Sequence, residues 1–436
     1  MMGPRWFVAF LLVCTPAFAG GPLYVSSPAQ GSEGLPFTWD LSQGPVKYRI
    51  DGGPMATNAQ GTIIVDHTTG VNRVEAMFGH WQAVPTIAIT FQDLGPIQST
   101  GAFTDGDVST VPEFNAVSSS CDAGVQSPVV FDANGSILTA LGLDPDIIGF
   151  AGACAPPNGT HFVTAIIFMN GAFQDGSTSN LELTASQFDE AITHEIGHYI
   201  GLDHSQINVI VLNGQGNCTT DNRAGLPLMF PFAACPARTS LGLPIISPDD
   251  AAWASSLYPN AAFATSYGFI EGEIRFTDGI TPMQGINVIA RQVNDPNTPE
   301  DESLRTAVSA VSGYLFTTNP GQSLTGDNTG GSIFGARAAN REGYFKIPVP
   351  PGQWTVRVEA VSSFFVNGSS VGPLDPPIPM PGIEGSAPTV TVTVGQSTTV
   401  NIILGNTPKR FDGFEDESLL VTPLLPYLRV RQEVIA

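Results

Sequence analysis

Charge is what this chain has least of. Asp, Glu, Lys and Arg make up 13% of its 436 residues, against about a quarter in an average protein, so Ser, Thr, Asn, Gln and Gly must carry much of the solvent contact. Basic residues are the scarcest part of that set: 17 Lys and Arg stand against 39 Asp and Glu, a net charge of −22. A chain this acidic repels polyanions, which argues against nucleic acid and anionic membranes as partners and leaves cations welcome. Long apolar runs are missing too. The run from Trp6 to Val13 falls far short of the ~20 residues a membrane span needs, so no membrane span is expected. With Arg5 before it and Ala17-Phe18-Ala19 before Gly20, residues 1–19 read as a secretory signal peptide cut after Ala19, and the protein as secreted and extracellular. Cys14 follows Val13 and not a small residue, unlike a lipid-anchor signal.

Cysteine is scarce. Beyond the signal there remain Cys121, Cys154, Cys218 and Cys235, none in a C-x-x-C, which excludes a thiolate metal site or redox pair. An even set in an oxidising compartment reads as two disulfides, with three pairings open; sequence neighbours, 121 with 154 and 218 with 235, are the expected partners.

The length predicts two or three domains. Residues 36–260 mix strand and helix patterns. "VKYRID" and "TIAITF" read as strands around a helix carrying Val71, Val74, Met77, Phe78 and Trp81 at helical spacing. "HFVTAIIFMNG" reads as a strand and "TASQFDEAITHEIGHYIG" as a helix with Thr184 or Ser186 as N-cap. Residues 268–404 hold short β-rich runs broken by Gly and Pro: "GFIEGEIRF", "INVIARQV", "GYFKIPV", "WTVRVEAV", "TVTVTV" and "TTVNIIL". They predict a small β-sandwich, with the boundary in 259–267. Residues 321–335 read as a mobile loop, and 405–436 as a C-terminal tail without an assignable role.

Histidine is rare as well, six in all, yet three of them fall within "HEIGHYIGLDHS", 194–205. On a helix His194 and His198 leave the same face with Cβ atoms about 5–6 Å apart, so two imidazoles can meet one ion. A catalytic zinc takes about three protein ligands and leaves a position for water. Gly201 offers a left-handed helix end, and the chain turning there can return His204 to the same ion. No Glu occurs between Ile196 and Ile270, so His204 is the natural third ligand, with Asp203 or Asp221 as weak substitutes. Glu195 is then placed to act as general base on a zinc-activated water.

"HEIGHYIGLDHS" resembles the H-E-x-x-H-x-x-G-x-x-H signature of metzincin metalloproteases, with Ser205 following as in matrixins. "LPLMFPF" is similar to the metzincin Met-turn, with Met229 as the apolar floor and Pro231 matching the matrixin pattern, although Ala233 stands where matrixins carry Tyr. "ISPDDAAWASSLYP" resembles the closing matrixin helix, with Ser247 as N-cap and Asp249 and Asp250 as structural residues. The resemblance spans 36–260. It implies an α+β metzincin-type catalytic domain, a mixed twisted sheet plus an active-site helix, binding catalytic Zn²⁺ and cleaving protein or peptide substrates. It also implies that residues 163–169, before the active helix, pair with extended substrate by strand addition. "GYFKIPVPPGQWTVRVEAV" resembles carboxypeptidase regulatory-like domains, which implies a fold for 268–404 and not an activity. Such an accessory module could be deleted with small-peptide cleavage intact.

Asp132 and Asn134 lie in a loop similar to matrixin calcium loops, which would bind a structural Ca²⁺; an ordinary Asx turn explains the pair equally well. His161, His67 and His80 need no special role. Asn134, Asn158, Asn217 and Asn367 open glycosylation sequons. The competing functional class is a non-catalytic extracellular binding or adhesion protein in which zinc braces the fold. Oligomeric state is not encoded in any pattern found.

Overall fold

The computed structural model describes residues 20–23, 35–98, 105–118, 121, 126–156, 161–177, 181–205, 207, 218–231, 233, 235–283, 286–313, 316–318, 324–325, 333–335, 343–360, 374–375 and 388–405. The signal peptide, most of 321–335, the tail beyond 405 and the sequons at Asn158, Asn217 and Asn367 lie outside the described residues. No helix among those described is long and apolar enough to cross a membrane.

The first half is a mixed α/β unit. Its sheet contains β1 (Val46–Ile50), β2 (Phe91–Pro96), β3 (Pro128–Asp132), β4 (Gly149–Cys154) and β5 (Thr164–Asn170), in spatial order β2-β1-β3-β5-β4. Neighbours pair in parallel except β4, which runs antiparallel to β5. Every residue of β3 and β5 is buried, as expected of central strands covered on both faces. One face packs on α1 (His67–Gln82), whose N-cap Asp66 accepts from Thr69 N–H at 2.7 Å and whose Val74, Met77, Phe78 and Trp81 are buried. The other face carries a smaller cluster around Phe114, Ile137, Leu138, Phe150 and Phe168.

Two expectations need correction. The strand expected over 86–91 begins at Phe91, because the preceding residues are engaged elsewhere: Ala88 N–H donates to Tyr258 C=O at 2.8 Å and Ile87 bridges to Pro259. The strand expected to receive substrate, 163–169, has no free edge, since β5 is paired with β3 on one side and β4 on the other. Among the described residues the outer strands are β2 at one end and, next to β5, β4 at the other.

Residues 268–405 form two further four-stranded sheets, beside two short two-stranded pairings, 316–318 with 333–335 and 324–325 with 374–375. One contains β6 (Gly268–Arg275), β9 (Tyr344–Val349), β12 (Ser397–Thr399) and β13 (Ile402–Ile403); the other has the order β8-β7-β10-β11, with β7 (Ile286–Gln292), β8 (Ala307–Val311), β10 (Gly352–Ala360) and β11 (Val390–Val392). Alternate residues of β6 are buried, and Ile270, Ile274, Val288, Phe345, Ile347 and Val356 share one apolar layer. Four of these strands, β6, β7, β9 and β10, match runs read from the sequence closely, while β11 covers half of "TVTVTV" and "TTVNIIL" divides between β12 and β13. The "AVSAV" strand β8 is made of small residues and carried no such signal.

The two halves touch through α4 (Pro248–Leu257), which lies against β8 and β9, and through the short α3 (Thr220–Gly225), whose Asp221 pairs with Arg305.

Candidate metal centre

The helix that carries the histidines is α2 (Ala185–Tyr199). Thr184 caps it in a capping box: Gln187 N–H donates to Thr184 Oγ1 at 3.3 Å and Thr184 N–H donates to Gln187 Oε1 at 3.1 Å. The box satisfies donors a helix start leaves unpaired. Phe188, Ile192, Ile196 and Tyr199 are fully buried in the main core, and Trp81 Nε1 donates to Thr193 C=O at 2.9 Å, tying α1 to the helix.

The helix ends as the sequence demands. Gly201 has φ +85°, a conformation that disfavours any side chain; its N–H donates to His198 C=O and Leu202 N–H donates to Gly197 C=O, both at 2.9 Å. This is a Schellman closure. The last free carbonyls are taken by aromatic side chains: Trp39 Nε1 donates to Tyr199 C=O at 2.9 Å and Tyr258 Oη donates to Ile200 C=O at 2.7 Å. Beyond Gly201 the chain is gripped by the segment after the expected signal cleavage, with Leu23 N–H donating to Gly201 C=O and Asp203 N–H donating to Gly21 C=O.

That turn brings His204 back to the helix. The three Nε2 atoms form a nearly equilateral triangle: His194 to His204 3.0 Å, His198 to His194 3.1 Å and His198 to His204 3.1 Å. All three side chains are at most 1% exposed. Their protonation follows from their other contacts. His194 Nδ1 lies 2.8 Å from Leu228 C=O and His198 Nδ1 lies 2.8 Å from Leu202 C=O; a carbonyl only accepts, so each Nδ1 carries the proton and each Nε2 presents a lone pair. Lone pairs that converge in a dry site repel unless a cation joins them. A triangle of this size has a point on its axis about 2 Å from each nitrogen, the usual Zn–N separation. The donor set therefore fits a divalent ion, and it is the cluster of three metal-capable side chains found among the described residues.

Glu195, next to His194 on α2, is fully buried. Met229 lies against the same helix, close enough that a Cβ on Gly197 would sit 2.2 Å from its sulfur. The turn carrying Met229 is held by Asp250, whose Oδ2 accepts Leu228 N–H at 2.8 Å and whose Oδ1 accepts Met229 N–H at 3.0 Å. Since Leu228 C=O orients His194, Asp250 supports that ligand through one peptide. The sequence reading assigned Asp250 a structural place in the first turn of α4 and missed this link; S-x-x-D at 247–250, a capping box in the structure, was the available signal. Farther back, Arg238 is buried and donates to the carbonyls of Arg223, Leu226 and Pro244, while Glu190 pairs with Arg223 and accepts Arg238 N–H. Burial pulls Arg223 down to about 9 and Arg238 to about 10, so both stay cationic at neutral pH.

Both disulfides join sequence neighbours, Cys121–Cys154 at the end of β4 and Cys218–Cys235 around the Met229 turn. Asp132 and Asn134 do a local job. Asp132 accepts Ile137 N–H at 3.2 Å and Leu138 N–H at 2.8 Å, and Asn134 Oδ1 accepts Ser136 N–H at 3.1 Å. The Asn134 bond is an Asx turn, Asp132 takes N–H groups at the start of the short helix Ser136–Ala140, and no second cluster of three His, Cys, Asp or Glu side chains converges there among the described residues. Asp221 pairs with Arg305, away from the histidines' partners, and Asp203 accepts His204 N–H at 2.6 Å.

No protein-family profile matches this chain, and no curated protein matches it either.

Proposed function

We propose that this protein is a secreted zinc endopeptidase of matrixin-like metzincin type, with a carboxypeptidase regulatory-like β region. The observation that carries the reading is the convergence of three buried Nε2 atoms, within 3.1 Å of one another, on and just after a helix that also carries the buried Glu195. His194, His198 and His204 would hold the ion. When bound, zinc polarises a scissile carbonyl and lowers the pKa of the water it holds to about 7.

The chain's own groups do the rest. The Leu228 and Leu202 carbonyls keep His194 and His198 in the ligating tautomer. Glu195 takes the proton of the attacking water and returns it to the leaving amine, acid–base help of about 10²–10⁴-fold. The outer strand β4, which among the described residues has a neighbour on one side only, would accept an extended peptide as a sixth strand. Its "GFAGAC" sequence is small enough to let that strand lie close to α2.

The experiment is cleavage of a peptide library by the purified protein, with and without chelator, beside Glu195→Gln. Chelator-sensitive cleavage that Glu195→Gln abolishes while retaining zinc supports the reading. Retained zinc with no cleavage by the wild type would favour a binding protein braced by the ion.

A further inference from the structure

The β region docks on the chain immediately after His204. Ser205 and Ile207, one and three residues past that ligand, are at most 1% exposed. Ser205 Oγ lies 3.3 Å from Ser309 Oγ of β8, and Ile207 forms a small apolar cluster with Ile289 of β7 and Ala307 of β8. The side-chain contacts of Ser205 with Ser309 and of Ile207 with Ile289 and Ala307 thus come from residues beyond 268.

The docking is specific in its hydrogen bonds. β8 is an edge strand, paired with β7 alone. Thr306 C=O and Ser312 N–H bond to β7, so by the two-residue alternation of an antiparallel ladder Ser309 turns its N–H and C=O outward. An exposed edge of that kind is a liability. Here α4 closes it with side chains: Asp249 Oδ1 accepts Ser309 N–H at 2.9 Å and Trp253 Nε1 donates to Ser309 C=O at 2.7 Å. Asp249 and Trp253 are four apart on the helix, so they share a face and meet one residue as a partner strand would. Ser205 N–H donates to Met229 C=O at 2.8 Å. One residue of the β region thereby closes a ring through α4, the Met229 turn and the third ligand's neighbour.

We infer that the β region is a positioning element of the metal site, with Ser309 and Ile289 fixing the 205–207 segment and through it His204. This rests on the metal-site reading above. It reverses the expectation that residues 268–404 are a detachable module: without them the segment after His204 loses the Ser309 and Ile289 contacts and keeps the bond from Ser205 N–H to Met229 C=O.

The test uses the full chain, with Co²⁺ as a visible probe and zinc in competition with a chelator. Ser309→Ala removes the hydroxyl facing Ser205, and Ile289→Ala removes the packing on Ile207. Val358→Ala, on the inner face of the same sheet, is the control for simple loss of stability. The expected result is a metal affinity about ten-fold or more weaker in the two junction variants, with an altered Co²⁺ absorption spectrum, and a wild-type spectrum in Val358→Ala. Wild-type affinity and spectrum in both junction variants would overturn the inference and leave the metal site standing. An equal spectral change in Val358→Ala would overturn it too, by showing that the site follows global stability. A wild type that binds neither Co²⁺ nor zinc would remove the metal-site reading itself and the inference with it.

Discussion

Gly197 and Met229 are in direct contact on the helix that carries His194 and His198. A Cβ added to Gly197 would sit 2.2 Å from the Met229 sulfur and 3.3 Å from the Trp81 ring, and Met229 is 1% exposed. The glycine between the two helical histidines is therefore needed for Met229 to lie this close to the helix.

Gly197→Ala follows from this contact. The methyl raises helix propensity, but a boxed-in thioether must move to admit it, and overpacking of this kind costs about 1–3 kcal/mol. Denaturant unfolding of the metal-free protein is expected to show that loss, and Gly197→Ala combined with Met229→Ala is expected to recover part of it. A stable single variant would mean that the Met229 turn is not pressed against the helix.

Asp250→Asn tests the link from α4 to His194. The amide offers one acceptor where the carboxylate offers two, so one buried N–H of Leu228 or Met229 loses its partner at a cost of about 1–3 kcal/mol. Leu228 C=O is then less firmly aimed, and zinc affinity is expected to fall about 10–100-fold. Competition with a zinc chelator reads this directly.

Asp51 gives a pH dependence. Its carboxyl is buried, accepts N–H groups of Gly53, Val108 and Phe131, and is pushed by burial from 3.8 up to about 7. Between those values the folded state holds a proton the unfolded state has lost, so stability falls as pH rises through the window and is level above it. The slope is about 1.4 kcal/mol per pH unit where the difference is complete. Asp51→Asn cannot titrate, so the stability of wild type minus variant, measured by urea unfolding in chelator, is expected to decline from acidic to neutral pH. A difference constant with pH would mean that the three N–H donors hold this carboxyl at an ordinary value.

The metal triad was legible because its physics is local. Helical periodicity puts His194 and His198 together, Gly201 can end the helix only in a left-handed turn, and what lies within four residues of that turn is bound to return. Thr184 and Ser247 were readable as caps for the same reason. What was missed depends on distant partners. "PVVFD" and "AVSAV" lack alternation because they are buried on both faces, so neither announced a strand. Pairing decides which strand is an edge, so the sequence assigned strand addition to 163–169 without any sign that this strand is paired on both sides. The bond from Asp249 to Ser309 joins residues 60 apart in sequence, a separation at which no pattern in either segment carries information about the other.

The most direct measurement of the central claim is X-ray absorption at the zinc edge on the zinc-loaded protein, with metal content determined for wild type and for His204→Asn. The expected result is one zinc per chain in the wild type, bound by three imidazole nitrogens at about 2.0–2.1 Å, and loss of stoichiometric binding in the variant. A wild type that retains no zinc, or a zinc whose ligands are unchanged by His204→Asn, would contradict it.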